Sequence, residues 1–245
     1  MQYFGGKARI SKPLAEFLNS QLEPNQPFVD LFCGSCNVVS KIDPHRLRIA
    51  NDKHPYLIAM WKALQEGWVP PDVVTEDDYK RIKQDTSDPA LHGFVGFGLS
   101  FGGKWWGGFT GKVSKNGQDY LKCAKNGLVK KFSNGQLGSV VFSNLDYKDV
   151  EIPEMSVIYC DIPYKDTTQY SKKLLGGFDH NSFHEWCKDM TDQGHTIFVS
   201  EYECNIPDDA TCVWSKESGT TNAAWMGAAK KTTEVVYTFN KEESE

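Results

Sequence analysis

Apolar residues fall into two kinds of run along this chain. Short, nearly continuous runs of strand-forming residues recur at Phe28-Val29-Asp30-Leu31-Phe32, Arg46 to Ala50, Val140 to Asn144, Ser156 to Cys160, Thr196 to Ser200, Thr211 to Trp214 and Glu234 to Phe239. Runs with little polar alternation belong to strands covered on both faces, as in the parallel sheets of α/β proteins. Between them, apolar residues recur three and four apart: Leu14, Phe17, Leu18 and Leu22, then Val38, Val39 and Ile42, then Tyr56, Leu57, Met60, Trp61 and Leu64. A fourth such set is Phe183, Trp186, Cys187 and Met190. Each predicts a helix with one buried face. Ser11 is placed to cap the first of them, and Pro24 and Pro27 end it. Strands alternating with helices predict an α/β core.

The stretch from Gly67 to Gly138 breaks this rhythm. It sustains neither period and is rich in glycine, lysine and aromatics, as in Phe101-Gly-Gly-Lys104-Trp105-Trp106. It reads as a loop-rich lobe, residues 67–138, inserted into a core made of 1–66 and 139–245. Aromatics interleaved with lysines suit a surface that touches phosphates and exposed bases. They suit a small aromatic core equally well.

Charge sharpens this only locally. The chain has 245 residues and a formal net charge of −5, so nucleic-acid affinity must come from a patch rather than from bulk charge. From Lys104 to Lys131 seven lysines (104, 112, 115, 122, 125, 130, 131) face one acid, Asp119, and a solvated basic surface is the bland reading of that run. No apolar run approaches the roughly 20 residues that span a bilayer. The first residues lack the apolar stretch of a signal peptide, so a cytoplasmic protein is expected. Seven scattered cysteines fit reduced thiols better than a disulfide framework.

Candidate chemistry collects at strand ends. Ser156 to Cys160 runs into Asp161-Ile162-Pro163-Tyr164, where the proline forbids further sheet pairing. A carboxylate, a backbone carbonyl and an aromatic ring in succession suit a flat heterocycle bearing an exocyclic amine. By itself such a segment is more often a strand followed by a polar turn. The first strand ends in Asp30 and Phe32 and enters the small-residue turn Cys33-Gly34-Ser35-Cys36, which lets backbone N–H groups approach a cofactor. The second closes on Asn51-Asp52, an acid about 20 residues beyond the glycine turn and so placed for ribose hydroxyls, though it serves equally as a helix cap. Cys33 and Cys36 form a C-x-x-C without the second pair or histidines of a zinc site, so no metal is expected. Small filler is favoured over a thioredoxin-like pair.

Taken in order, these segments resemble the Dam-like (D12) class of DNA adenine-N6 methyltransferases, particularly compact phage members. The segments that carry the resemblance are Tyr3-Phe-Gly-Gly-Lys7, Asp30-Leu-Phe32-Cys-Gly34, Ala50-Asn-Asp52, Phe142-Ser-Asn-Leu-Asp146, Asp161-Ile-Pro163-Tyr164 and Val199-Ser-Glu-Tyr202. The resemblance implies a Rossmann-like S-adenosyl-L-methionine-dependent methyltransferase core with an inserted target-recognition lobe, acting on a flipped-out adenine in double-stranded DNA. It implies that Tyr3, Lys7, Asp30 and the backbone around Gly34 hold the methionine end of the cofactor, with Phe32 also at the cofactor. Asp52 would hold the ribose and Asp146 the adenine. Asp161 and the Ile162 carbonyl would accept the target amine, with Pro163 shaping the loop and Tyr164 stacking on the base. Lys104, Lys112 and Lys115 are expected at the DNA. GATC is a common target in the class.

Two departures stand out. Cys36 replaces the last glycine of the cofactor loop, which is harmless only if that position does not need positive φ. Ile162 replaces the first proline of Asp-Pro-Pro-Tyr, which keeps the carbonyl and loses rigidity. Alternatives are a methyltransferase acting on cytosine N4, RNA or a protein amide, and a DNA-binding module with decayed catalysis.

Overall fold

The structure, a computed structural model, describes residues 1–114, 116–165, 175–219 and 231–240. Its centre is a seven-stranded sheet: β1 (Phe28–Asp30), β2 (Arg48–Asn51), β3 (Val141–Ser143), β4 (Val157–Cys160), β5 (Thr196–Tyr202), β6 (Ala210–Gly219) and β7 (Lys231–Phe239). The spatial order is β3-β2-β1-β4-β5-β7-β6. The first five strands are parallel, and β7 runs antiparallel to both β5 and β6. Order reverses between β1 and β4, which opens a crevice beyond their carboxyl ends, the usual ligand site of an open α/β sheet.

Alternate residues of the central strands feed two apolar clusters. Phe28, Ala50, Val157 and Tyr159 join one, while Val29, Ile49, Ile158 and Cys160 join the other. Helices α1 (Ser11–Ser20) and α2 (Pro55–Gln65) supply the first cluster with Leu14, Leu18, Leu57 and Trp61, all fully buried. Helix α6 (His180–Asp192) supplies the second with Phe183 and Cys187. Burying each such large apolar side chain contributes about 1.5–3 kcal/mol. The core is therefore Rossmann-like, with both faces of the sheet covered.

Two local expectations change. Ser11 is the first residue of α1 rather than its cap; its hydroxyl donates to the Ala8 carbonyl, and the capping position falls on Ile10. The helix expected over Val38 to Ile42 is a single 3-10 turn, Val39–Lys41. The Val39 carbonyl accepts from Ile42 N–H and also from the buried Arg48 guanidinium, which takes the Ile42 carbonyl as well.

The segment 67–138 is helical rather than loop-rich. It holds α3 (Glu76–Gln84), α4 (Pro89–Gly93), a π turn at Phe94–Gly98 and α5 (Tyr120–Ser133). Thr75 and Asp78 form a reciprocal cap for α3, and Asp88 and Asp119 cap α4 and α5. Only Tyr79 and Ile82 of α3 are buried, and the i, i+3, i+7 set of α5 (Leu121, Ala124, Leu128) lies among lysines. Periods so sparse disappear into the surrounding polar residues. These side chains, with Phe94, Val95 and Phe97, belong to the same cluster as α1 and α2.

Candidate active site

A cavity of about 580 Å³ opens at the carboxyl ends of β1, β2 and β4. Tyr3, Lys7, Asp30, Phe32, Gly34, Asp52, Asp146 and the run Asp161 to Tyr164 all line it. Of the lysines expected at DNA, Lys104 and Lys112 do not.

The glycine turn forms its upper wall. Cys33 N–H donates to the Asn51 carbonyl at 2.8 Å, and Cys36 N–H closes a turn onto the Cys33 carbonyl at 2.7 Å. Gly34 has φ +46°, and a Cβ there would stand 2.9 Å from the Tyr3 ring. Its N–H donates to Asp52 at 3.0 Å, and the other Asp52 oxygen accepts from His54 N–H at 2.9 Å. Asp52 thus orders the turn before any ligand arrives, and it accepts at the start of α2 although His54 occupies the capping position. Burial raises its pKa to about 6 against the opposing pull of these two N–H groups.

Cys36 has φ +54°, the condition that makes a non-glycine residue costly there. The turn tolerates it because cysteine is small and is held from outside. The Trp61 indole donates to the Gly34 carbonyl at 3.0 Å. Lys131, from α5, donates to the Ser35 carbonyl and, at 3.0 Å, to Asn37 Oδ1. Burial lowers the Lys131 pKa to about 8. Burial also pushes the Cys33 thiol well up, which argues against a reactive thioredoxin-like pair.

The lower wall is acidic around one cation. Lys7, 6% exposed, donates to Asp161 Oδ1 at 2.7 Å and lies 3.6 Å from Glu234 Oε2. Its ammonium also sits 4.4 Å over the Tyr164 ring. Burial lowers its pKa, but the charges of Asp161, Tyr159 and Glu234 outweigh that and hold it above the usual lysine range. Burial raises Asp161, Lys7 draws it back, and Glu234 adds to the rise. Asp30 Oδ1 is buried against the cavity with no hydrogen-bond partner, and burial followed by the Asp161 charge raises that carboxyl well above its usual range. Lys7 therefore pairs with Asp161 in the same cavity that Gly34 lines.

The far end is aromatic. Phe32 packs against Tyr147 and Phe178 at ring separations of 5.8 and 5.7 Å. Beside it, Asp146 accepts from Lys53 at 2.8 Å. Burial tends to raise the Asp146 pKa, but the Lys53 bond prevails and holds it low.

Ile162 turns its side chain into the second apolar cluster, with Phe183 and Val199, and is 4% exposed. The position takes an apolar anchor. Past Pro163, Lys165 N–H donates to Glu201 at 3.0 Å, and Tyr202 meets Tyr164 edge-on at 4.7 Å. Glu201, Glu234, Lys131 and Trp61 were not singled out as site residues from the sequence. Glu201 entered there only within the segment Val199-Ser-Glu-Tyr202 that carries the resemblance, and Lys131 and Trp61 only as members of the basic run and of a helix face.

The lysines divide. Lys104 is exposed at the cavity rim, 4.8 Å over the Phe4 ring, and its turn is docked by a bond from Phe4 N–H to the Gly103 carbonyl. Lys112 is paired with Glu76 at 2.8 Å and Lys125 with Asp72 at 2.6 Å. Lys115 lies outside the described residues. Trp105 and Trp106 pack with Tyr56, Tyr79, His92 and Phe97, so the aromatic-core reading holds for them. Phe101, on the same turn as Lys104, is 67% exposed.

Among the described residues no helix is long and apolar enough to cross a membrane, and no group of three or more His, Cys, Asp or Glu is disposed to hold a metal.

Among solved structures the chain is similar to SMU.472, a presumptive methyltransferase crystallised with SAH, at 11% identity and a TM-score of 0.37, covering 98% of this chain. The chain spans 55% of the length of that protein. Residues 3–90, which carry Lys7, Asp30, Gly34 and Asp52, match the family model described as D12 class N6 adenine-specific DNA methyltransferase.

Proposed function

We propose that the protein transfers a methyl group from S-adenosyl-L-methionine to N6 of adenine in double-stranded DNA. The observation that carries this is the convergence, in one cavity at the sheet's reversal point, of an Asp-x-Pro-Tyr loop with a separate acid-and-glycine wall.

The residues fit the cofactor. Asp30 Oδ1, buried and unpartnered, suits the ammonium of an amino acid. Asp52 has lone pairs left for ribose hydroxyls after accepting two N–H groups. Phe32, Tyr147 and Phe178 offer apolar faces to a purine, with Asp146 beside them. When bound, the cofactor supplies an electrophilic methyl group on a sulfonium.

The chain's own work is then orientation and electrostatics. Asp161 and the Ile162 carbonyl accept the two N6 hydrogens, turning the nitrogen lone pair toward the methyl group. Lys7 keeps Asp161 ionised for that purpose. Tyr164, gripped by Tyr202, walls the base, which must leave the duplex to arrive there. We further propose that residues 67–138 form the target-recognition lobe, that Lys104 and Phe101 at the rim meet the DNA, and that the protein acts in the cytoplasm.

The test is Asp161→Ala. It should bind S-adenosylhomocysteine as the wild type does while methyl transfer to DNA falls by at least about 10²-fold. Near-normal turnover by this variant would refute the assignment.

A further inference from the structure

The loop leaving β4, described over residues 161–165, is held at its start by the Asp161–Lys7 ion pair. It departs the sheet at Asp161, and Pro163 is its one conformationally fixed residue. Ile162 anchors its middle in the second apolar cluster. At Lys165, the last residue described there, the N–H donates to one oxygen of Glu201 at 3.0 Å. The other oxygen of that carboxylate accepts from Tyr202 N–H at 2.8 Å. The neighbouring Tyr202 ring braces Tyr164.

Glu201 is an expensive residue to bury. It is 2% exposed, and among the described residues no lysine or arginine pairs with it. Burial raises its pKa, and what opposes that rise comes first from the Tyr202 and Lys165 N–H groups, then from Asn205, with the more distant Lys7 last. A buried carboxylate with no ion pair is tolerated only where hydrogen bonds to it replace water. One of those donors is the loop's own backbone at Lys165, so carboxylate and loop hold each other in place.

We propose that Glu201 is a positioning residue for methyl transfer: by fixing Lys165 to the end of β5 it sets Asp161 and Tyr164 at the acceptor amine, without itself touching substrate or cofactor. This rests on the proposed function. It extends that reading to an element, β5, that contributes none of the residues assigned to cofactor or base. Among the described residues Glu201 bonds to none of Asp30, Gly34 and Asp52, the groups assigned to the cofactor's amino acid and ribose ends, so its loss should spare cofactor affinity and damage turnover.

The experiment compares full-length wild type, Glu201→Ala and the nearly isosteric Glu201→Gln by three readouts. These are hydrogen exchange over residues 161–165, calorimetric affinity for S-adenosylhomocysteine, and kcat on unmethylated duplex DNA. Glu201→Ala should speed exchange in the loop and lower kcat about tenfold or more, while S-adenosylhomocysteine affinity stays within about threefold. Glu201→Gln, which keeps one acceptor oxygen, should fall between it and the wild type, and it serves alone if the alanine variant does not fold. Unchanged loop exchange, unchanged kcat, or a parallel loss of kcat and cofactor affinity would each overturn the proposal. A wild type that binds S-adenosylhomocysteine but methylates no DNA base would overturn the functional reading and this role in transfer with it. Exchange in the variants would then still report whether the clamp itself exists.

Discussion

Asp52 and Asp161 are both carboxylates at strand ends, yet their surroundings set them different tasks. Asp161 has a cation 2.7 Å away, whereas Asp52 has only N–H donors and burial, which leaves its pKa at about 6. Above that value Asp52 is ionised and accepts hydrogen bonds; below it the carboxyl is protonated, and its bonds to Gly34 N–H and to a ribose weaken together. S-adenosylhomocysteine affinity should therefore decline as pH is lowered from 7 to 5, with a midpoint near 6, and Asp52→Asn should remove that dependence. Calorimetry across this range checks it, and a flat wild-type profile would contradict it. At this scale the acids and the glycine turn were legible, because each ends an apolar strand. The positive φ of Cys36 was not, because it is imposed by the closing bond to the Cys33 carbonyl and by outside anchors at Trp61 and Lys131. Nor was the inward turn of Ile162, which depends on Phe183 and Val199, remote in the chain.

The elements of the sheet were easier to read than those of the segment 67–138. Strands here are short and apolar, so their pattern is the burial itself. In α3 two of 9 residues are buried and in α5 three of 14, and the polar remainder hides them. The basic run had a similar fate. Lys131 and Lys125 are consumed by bonds within the protein and Lys112 by Glu76, while Lys122 and Lys130 are exposed and Lys104 is exposed over the cavity-lining Phe4. Lys104→Ala should accordingly reduce the slope of log affinity against log salt for duplex DNA by about 1. Lys112→Ala should change it less, since that ammonium already has a carboxylate partner. Salt titrations of binding will show this, and an unchanged slope for Lys104→Ala would place the DNA elsewhere.

Across the whole molecule, an alternation of residues between two apolar faces builds the sheet, and the sheet's reversal between β1 and β4 makes the cavity. The antiparallel β7 closes the acidic side by bringing Glu234 to Lys7. The order of strands was beyond sequence patterning, since parallel and antiparallel partners share the same apolar runs. The central claim is that this cavity methylates adenine. The most direct measurement is to incubate the purified protein with unmethylated duplex DNA and S-adenosylmethionine, digest to nucleosides, and identify the product by mass spectrometry. N6-methyladenine, absent from a parallel Asp161→Ala reaction, is the predicted result. N4-methylcytosine, or no modified base from a protein that binds the cofactor, would contradict it.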